Sequence, residues 1–373
     1  MRAIVLDSVS DIDSTTWNAI VGRNRLICRH EYLKAVESSQ INDCRYFYPV
    51  IYDGDQIVAH TCLYFISTEL DLFAKGVGKL LVNAVRHLWP SFMILRSIEC
   101  GTPVALGSTI SFREGVDQHA VLNMIVQATE TVAREQGVRV LLFRDFHDNE
   151  LELFDSLTSK GYTRLHNLPC ARMRVEWDSF EAYLNAMRSQ YRCKLLAQQK
   201  RFRESGATIQ ILSHFSSMSG DLARLWHNVY ERATDYRREV LLPDFFENID
   251  RGLADRSELI VAIRDNEPQG FLMLLHDDET LIPLFIGLDY SSSRNIGTYF
   301  NLFYEAIRIA IDTEKRDIDL GITTLEPKVD LGAIAIPLHM YMKHLTPTLN
   351  MIVPRMFAMA TPAAIMPSSK VLK

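Results

Sequence analysis

The stretch from Glu258 to Leu320 constrains this chain more than any other. Three short apolar runs, Leu259–Ile263, Gly270–Leu275 and Leu281–Ile286, are separated by polar turns of the type Arg264–Pro268 and His276–Glu279. Short apolar runs joined by turn residues predict an antiparallel meander. A polar segment, Ser291–Gly297, then leads into a helical pattern. Its apolar positions are Phe300, Phe303, Tyr304, Ile307, Ala310 and Ile311, a spacing of three and four that makes one buried stripe. Asp317–Leu320 closes the stretch as a short strand. Three strands, a long helix and a further strand make an α+β unit, with one helix laid across a mixed sheet.

The same order occurs earlier in the chain. Tyr46–Tyr52 is an apolar run, Asp53-Gly54-Asp55 is a hairpin turn, and Ile57–Ile66 reads as one returning strand. A second helical pattern covers Gln118–Gln136, with its stripe at Val121, Met124, Ile125, Ala128 and Val132, and Val138–Phe143 reads as the strand after it. The duplication predicts two α+β domains, residues 1–177 and 206–373. Each would be a mixed, mostly antiparallel sheet flanked by helices. Residues 178–205 form a basic helical connector. The two halves are expected to face each other across a shared groove, each with its own sheet; one undivided sheet, or halves of unrelated topology, would count against that groove and against a function placed in it.

A chain of 373 residues has room for two such domains. The net charge of −6 excludes a general nucleic-acid binder, and no DNA partner is expected. Six scattered cysteines without a CxxC pair argue against a zinc site and fit a reducing compartment, so no metal is expected and the location reads as cytoplasmic. No run reaches the roughly 18 apolar residues that a membrane span needs. The apolar tail Met351–Met366 is broken by Pro354 and Pro362 and reads as strand or loop packed on the core.

Several residues carry candidate chemistry. The run Asp319–Gly332 places an apolar strand end at Gly321, followed by Thr323, Thr324, Glu326 and Lys328. Lys328 fits a point charge for a phosphate or an oxyanion, and equally a surface lysine in a loop. Glu326 and His339 are candidate proton acceptors, although a lone histidine among apolar residues is commonly structural. Arg294 and Gly297 stand at a strand-to-helix junction where backbone N–H groups suit a pyrophosphate. Gly76 and Gly78 form a weaker candidate of the same kind. The connector carries Arg188, Arg192, Lys194, Lys200, Arg201 and Arg203, either a solvated face or a landing site for an anionic partner. Tyr236 and Arg237 mix aromatic and charged character at a helix end and suit substrate recognition or a cap.

Taken together, the duplicated unit resembles tandem GNAT (acetyltransferase-like) domains. The basic segment around Tyr191-Arg192-Cys193-Lys194, together with Leu241–Phe246 and the run from Leu320 through Lys328 to Gly332, resembles the FemABX-like, peptidoglycan biosynthesis/recognition group of that superfamily. The resemblance covers most of residues 30–345. It implies an N-acyltransferase acting in the cleft between the domains. The donor would be an acyl-CoA, an acyl-carrier protein or an aminoacyl-tRNA, used as a co-substrate with no tightly bound cofactor, and the acceptor a small-molecule amine. By this resemblance Lys328 stabilises the oxyanion, His339 or Glu326 takes the amine proton, and Arg192, Lys194, Tyr236 and Arg237 bind substrate. Arg294 and Gly297 match the donor-binding pattern, whereas Tyr299 replaces its last small residue. The alternative is a non-catalytic protein that binds a ligand or partner through degenerate GNAT domains.

Overall fold

The computed structural model describes residues 1–69, 94–233, 237–291, 296–360, 366–367 and 369–373. Its strands are β1 (Arg2–Leu6), β2 (Arg45–Asp53), β3 (Gln56–His60), β4 (Leu63–Glu69), β5 (Ile94–Cys100), β6 (Ser111–Phe112) and β7 (Val140–Phe146) in the first half of the chain. Then follow β8 (Thr163–Arg174), β9 (Thr208–Leu212), β10 (Ser257–Arg264), β11 (Glu267–His276), β12 (Thr280–Leu288), β13 (Asp317–Asp319) and β14 (Ile334–His344). The helices that matter below are α1 (His30–Glu37), α2 (Gln118–Glu135), α3 (Phe180–Ala186), α4 (Ser189–Glu204), α5 (Ser219–Arg232), α6 (Pro243–Gly252), α7 (Thr298–Asp312), α8 (Leu325–Val329) and α9 (Val353–Ala360).

The duplication is visible in the pairing. In the first half β1, β2, β4 and β5 pair antiparallel, α2 crosses the sheet, and β7 returns parallel to β5. In the second half β9, β10, β11 and β12 pair antiparallel, α7 crosses, and β13 returns parallel to β12. The last strand of each copy is exchanged. β8, which follows β7 in sequence, pairs with β13 of the second copy. β14, which follows β13, pairs with β7 of the first. β8 and β14 also pair with each other over most of their lengths.

The expectation of two separate sheets is therefore corrected. Among the described residues the strands form one 14-stranded sheet, because the exchanged pair β8–β14 joins the copies edge to edge. An apolar alternation shows which face of a strand is buried, but not which strand lies beside it. The predicted single strand Ile57–Ile66 is likewise divided into β3 and β4. Thr61 N donates to Pro49 O at 3.1 Å, and Pro49 has no N–H with which to return the bond, so the ladder on β2 opens there. Within the tail predicted as strand or loop, Val353–Ala360 form α9 instead, with Pro354 in its first turn, where a proline is tolerated; residues 361–365 lie outside the described residues.

The cores follow the same logic. α2 is capped by Asp117, whose side chain accepts from Ala120 N, and buries Val121, Ile125, Ala128 and Val132 on the first copy. α7 buries Phe303, Ile307, Ala310 and Ile311 on the second. On the opposite face of the sheet, α1 of the first copy packs in one continuous cluster with Phe245, Phe246 and Ile249 of α6 and Leu222, Leu225 and Trp226 of α5. The copies therefore share a core as well as a sheet.

Gly287 sets the closest approach in this packing. A Cβ there would lie 2.7 Å from Trp226 N and 2.8 Å from Leu225 C, so α5 rests directly on the β12 backbone. Gly287→Ala must push the helix away, and overpacking of this kind costs about 1–3 kcal/mol. Thermal unfolding should show that loss. A variant as stable as the wild type would mean that α5 is not seated as described.

Candidate active site

β12 and β13 pair only at Thr280↔Asp317 and Leu281↔Ile318. β12 then continues to Leu288, and no described strand pairs with that edge past Leu281. The divergence opens a cleft of about 1250 Å³, walled by β12, α5, α7, the loop from Pro103 to Leu106 and the segment Asp319–Lys328.

Lys328 sits on α8 at this cleft and is buried, with 5% of its surface exposed. Two features of the local chain put it there. Gly321 turns with φ 77°, and its carbonyl accepts from Ala171 N at 2.9 Å, which ties the segment to β8. Thr324, at the start of α8, holds a positive φ of 54°, a conformation that a β-branched residue rarely adopts. Behind α8, Tyr183 Oη donates to Leu331 O at 2.7 Å. Among the described residues Lys328 Nζ makes no hydrogen bond and no ion pair. Burial lowers its pKa to about 8, and Asp319 and Cys170 nearby oppose that shift only in part.

α7 points its N-terminus at the same cleft. Gly297 caps it in the left-handed region, φ 76°, with no side-chain cap. The first N–H groups of such a helix lack intrahelical partners. Thr298, fully buried, lines the cleft, and among the described residues its Oγ1 has no hydrogen-bond partner. Gln198 and Arg201 of α4 complete this end, and Tyr304 Oη donates to Gln198 Oε1 at 2.5 Å to fix α4 against α7.

Beneath the cleft lies a buried ionic network. Glu99 Oε2 accepts from Tyr64 Oη at 2.6 Å and from Arg144 Nη1 at 3.3 Å, and Glu99 Oε1 accepts from Ser97 Oγ at 2.8 Å. Arg238, from the second half, reaches Glu99 Oε1 at 2.5 Å. Arg144 Nε donates to Asp145 Oδ2 at 2.8 Å, and Asn167 Nδ2 donates to Asp145 Oδ1 at 2.6 Å. Asp145 holds φ 68° on β7, a second non-glycine outlier beside the cleft. Burial pushes the Glu99 carboxyl up, but the Arg238 and Arg144 guanidiniums outweigh it and hold the group down at about 2. For Asp145 burial wins over Arg144, and its pKa is raised. Two arginines and two carboxylates cancel, so the network joins the halves without leaving a net charge.

The expected site residues divide accordingly. Lys328, Glu326 and Gly297 all line the cleft. Arg192, Lys194, Arg237 and His339 are not among its lining residues. Lys194 Nζ pairs with Asp330 at 2.6 Å. Arg192, half-buried, lies one turn from Leu195 on α4. Arg237 donates through Nε to Ala233 O at 2.6 Å and through Nη2 to Glu231 O. His339 Nε2 meets Asp148 Oδ1 at 2.7 Å. Tyr236, Arg294, Gly76 and Gly78 lie outside the described residues. Sequence reasoning missed Arg144, Arg238, Glu99, Asp145 and Thr298. The one available signal was the charged pair Arg144-Asp145 inside the apolar run Val140–Phe146.

A family model described as FemAB-like, peptidoglycan biosynthesis/recognition, matches residues 8–361. The chain belongs to the FemAB-like family. Its sequence is 26% identical over 324 residues to a Mycobacterium tuberculosis protein named "Putative 8-amino-7-oxononanoate synthase 2". That match takes in 85% of this chain and 42% of the relative, so the chain spans less than half the length of the curated relatives it matches. Among solved structures, FemX superposes with a TM-score of 0.59 at 12% identity, over 94% of this chain and all of FemX. A tandem GNAT protein from the clavulanic acid biosynthesis pathway gives 0.53 at 9% identity, over 93% of this chain and 99% of its own. L-PGS from Bacillus licheniformis gives 0.51 at 11% identity, over 93% and 97%. These likenesses establish the tandem GNAT-like fold of this FemAB-like chain. Among its described residues no helix is long and apolar enough to cross a membrane.

The buried network makes a pH prediction. A carboxylate whose pKa falls on folding stabilises the protein above its unfolded value and loses that contribution as pH drops through the folded value. For Glu99 the window runs from 4.5 down to about 2. Glu99→Gln should cost about 3–5 kcal/mol at neutral pH, by leaving Arg144 and Arg238 with a neutral partner. The wild-type advantage should shrink as denaturation is repeated at falling pH. A difference that stays constant from pH 6 to pH 2.5 would show that Glu99 is not ionised in the fold.

Proposed function

We propose that this FemAB-like chain transfers an acyl or aminoacyl group from an activated donor to an amine within the β12–β13 cleft. The observation that carries this reading is Lys328, a buried cation at the wall of the cleft that makes no hydrogen bond or ion pair among the described residues. Its burial disfavours the charged form, and folding alone gives no reason to keep a lysine there.

The donor's phosphate groups, whether of acyl-CoA, a carrier-protein arm or a tRNA end, meet the N-terminus of α7, where Thr298 Oγ1 and the first N–H groups supply donors and Arg201 adds charge. The amine nitrogen attacks the carbonyl carbon of the thioester or ester, and the carbonyl oxygen becomes an oxyanion facing Lys328 Nζ. A point charge in a water-poor site is effective for this task. The C–S or C–O bond to the carrier then breaks, the leaving thiolate or alkoxide takes a proton, and the amide remains. Glu326, exposed at the cleft, accepts the amine's surplus proton. His339, held by Asp148 away from the cleft, is left out of this scheme. The family description, peptidoglycan biosynthesis/recognition, supports a cell-wall peptide precursor as the source of the amine.

The test is amide formation followed by mass spectrometry, with acyl-CoA, acyl-carrier protein and aminoacyl-tRNA as donors. Lys328→Met should lower kcat by about 10²–10³, the usual size of losing one oxyanion donor. The rate should also fall as pH rises through about 8, where the ammonium is lost. Stability moves the other way. A lysine whose pKa is lowered on folding destabilises the protein below the folded value, and the penalty is relieved between about 8 and 10.5. Lys328→Met should therefore melt higher than wild type at pH 7, and the gap should narrow by pH 10. An inactive variant that also melts lower would assign Lys328 a structural role and remove it from the chemistry.

A further inference from the structure

The cleft is larger than the chemistry above needs, and most of its extra wall is hydrocarbon. Small-ligand sites usually span about 300–1000 Å³, and this cleft holds about 1250 Å³. On the α5 face of the sheet, Trp226, Tyr230, Ile282, Leu284, Phe285 and Val104 all line it and all belong to one apolar cluster. Four of them, Tyr230, Ile282, Leu284 and Phe285, are only half-buried. The reason is geometric. Trp226 and Tyr230 lie one turn apart on α5, with ring centroids 5.1 Å apart, and Trp226 meets Phe285 edge-on at 6.5 Å. α5 touches the β12 backbone at Gly287, and Ile282, Leu284 and Phe285 lie before that contact, on the stretch of β12 whose other edge has no described strand beside it. The loop bearing Val104 forms the far side. The polar lining includes Arg144 and Arg238, balanced by Glu99 and Asp145, at the floor, Lys328 with Thr298 on the α7 side, and Arg232 and Glu239 where the chain leaves α5.

We infer that the group transferred is a long hydrocarbon acyl chain, lodged in the slot between α5 and the unpaired stretch of β12, rather than an aminoacyl group. This rests on the transfer reading and narrows its donor. The slot is continuous with the space beside Lys328, so a chain seated there presents its carbonyl end toward the cation. An aminoacyl group would bring a charged α-ammonium against Trp226, Leu284 and Phe285, where it loses water that these apolar side chains do not replace. A fatty chain instead replaces water along its whole length, and each buried methylene tightens binding by about fourfold.

The experiment is a chain-length series. Acetyl-, hexanoyl-, decanoyl- and hexadecanoyl-CoA are titrated calorimetrically into the protein without an amine, below their micelle concentrations. The same donors are then assayed for amide formation beside an aminoacyl-tRNA and a parallel series of alkylamine acceptors. Affinity should climb by up to about fourfold per methylene and then level off where the slot ends. Leu284→Trp, which fills the slot, should move that plateau to shorter chains, and a melting curve checks that the variant folds. Leu284→Ala serves as the companion variant and should leave the plateau or lengthen it. Affinity independent of acyl length overturns the inference, as does transfer from aminoacyl-tRNA alone, and either result leaves the transferase reading standing. Length dependence in the alkylamines alone also overturns it, by giving the slot to the acceptor. Length-dependent binding with no amide from any donor sustains the slot and removes the transfer.

Discussion

The exchange of β8 and β14 is the constraint on which the rest of this structure depends. Each copy of the α+β unit lacks its own last strand and takes it from the other. The parallel strands β7 and β13 would otherwise be unsatisfied edges, and an unpaired edge inside a protein is costly. The exchange fixes the copies in one sheet. It also places Lys328, on the short helix between β13 and β14, beside the opening that β12 leaves in the second copy.

Two kinds of buried charge lie on either side of that opening. Glu99, Arg144, Arg238 and Asp145 are paired, hydrogen-bonded and neutral in sum, and they tie residue 238 of the second half to β5 and β7 of the first. Lys328 is buried as deeply and makes no ion pair or hydrogen bond among the described residues, although Asp319 lies nearby. The first arrangement is how a fold accommodates ions in its interior. The second is how a site holds a charge ready for one that develops during reaction, since an oxyanion would supply the missing partner. The backbone outlier Thr324 lines the same space, and the outlier Asp145 adjoins Arg144, which also lines it.

The order of elements, the two helix stripes and the meander of the second copy were legible in the chain. They arise from local periodicity, and α2 and α7 bury the residues that the spacing marks. That the segment bearing Lys328 lies at a sheet margin was legible too, from a strand end, a glycine and a short polar run, whereas its burial on a short helix was not. The strand exchange was not. A strand's alternation is satisfied by any neighbour of suitable polarity, and the pairing of Thr163–Arg174 with Asp317–Asp319 spans some 150 residues of sequence. The ionic network was hidden for a related reason: Glu99 and Arg238 are ordinary surface types until the fold brings them within 2.5 Å. The partner of His339 was hidden in the same way: Asp148, which holds its ring, lies 191 positions away. The basic helix reaches the cleft through Gln198 and Arg201, whereas Arg192 and Lys194 are not among its lining residues.

The most direct measurement is a crystal structure with a stable acyl-donor analogue, a CoA thioether bearing a ketone in place of the thioester. The account predicts the ketone oxygen about 3 Å from Lys328 Nζ, with the phosphates at the N-terminus of α7 and the chain entering between β12 and α5. An analogue bound outside the β12–β13 cleft, or bound within it with Lys328 turned away from the carbonyl, would contradict it.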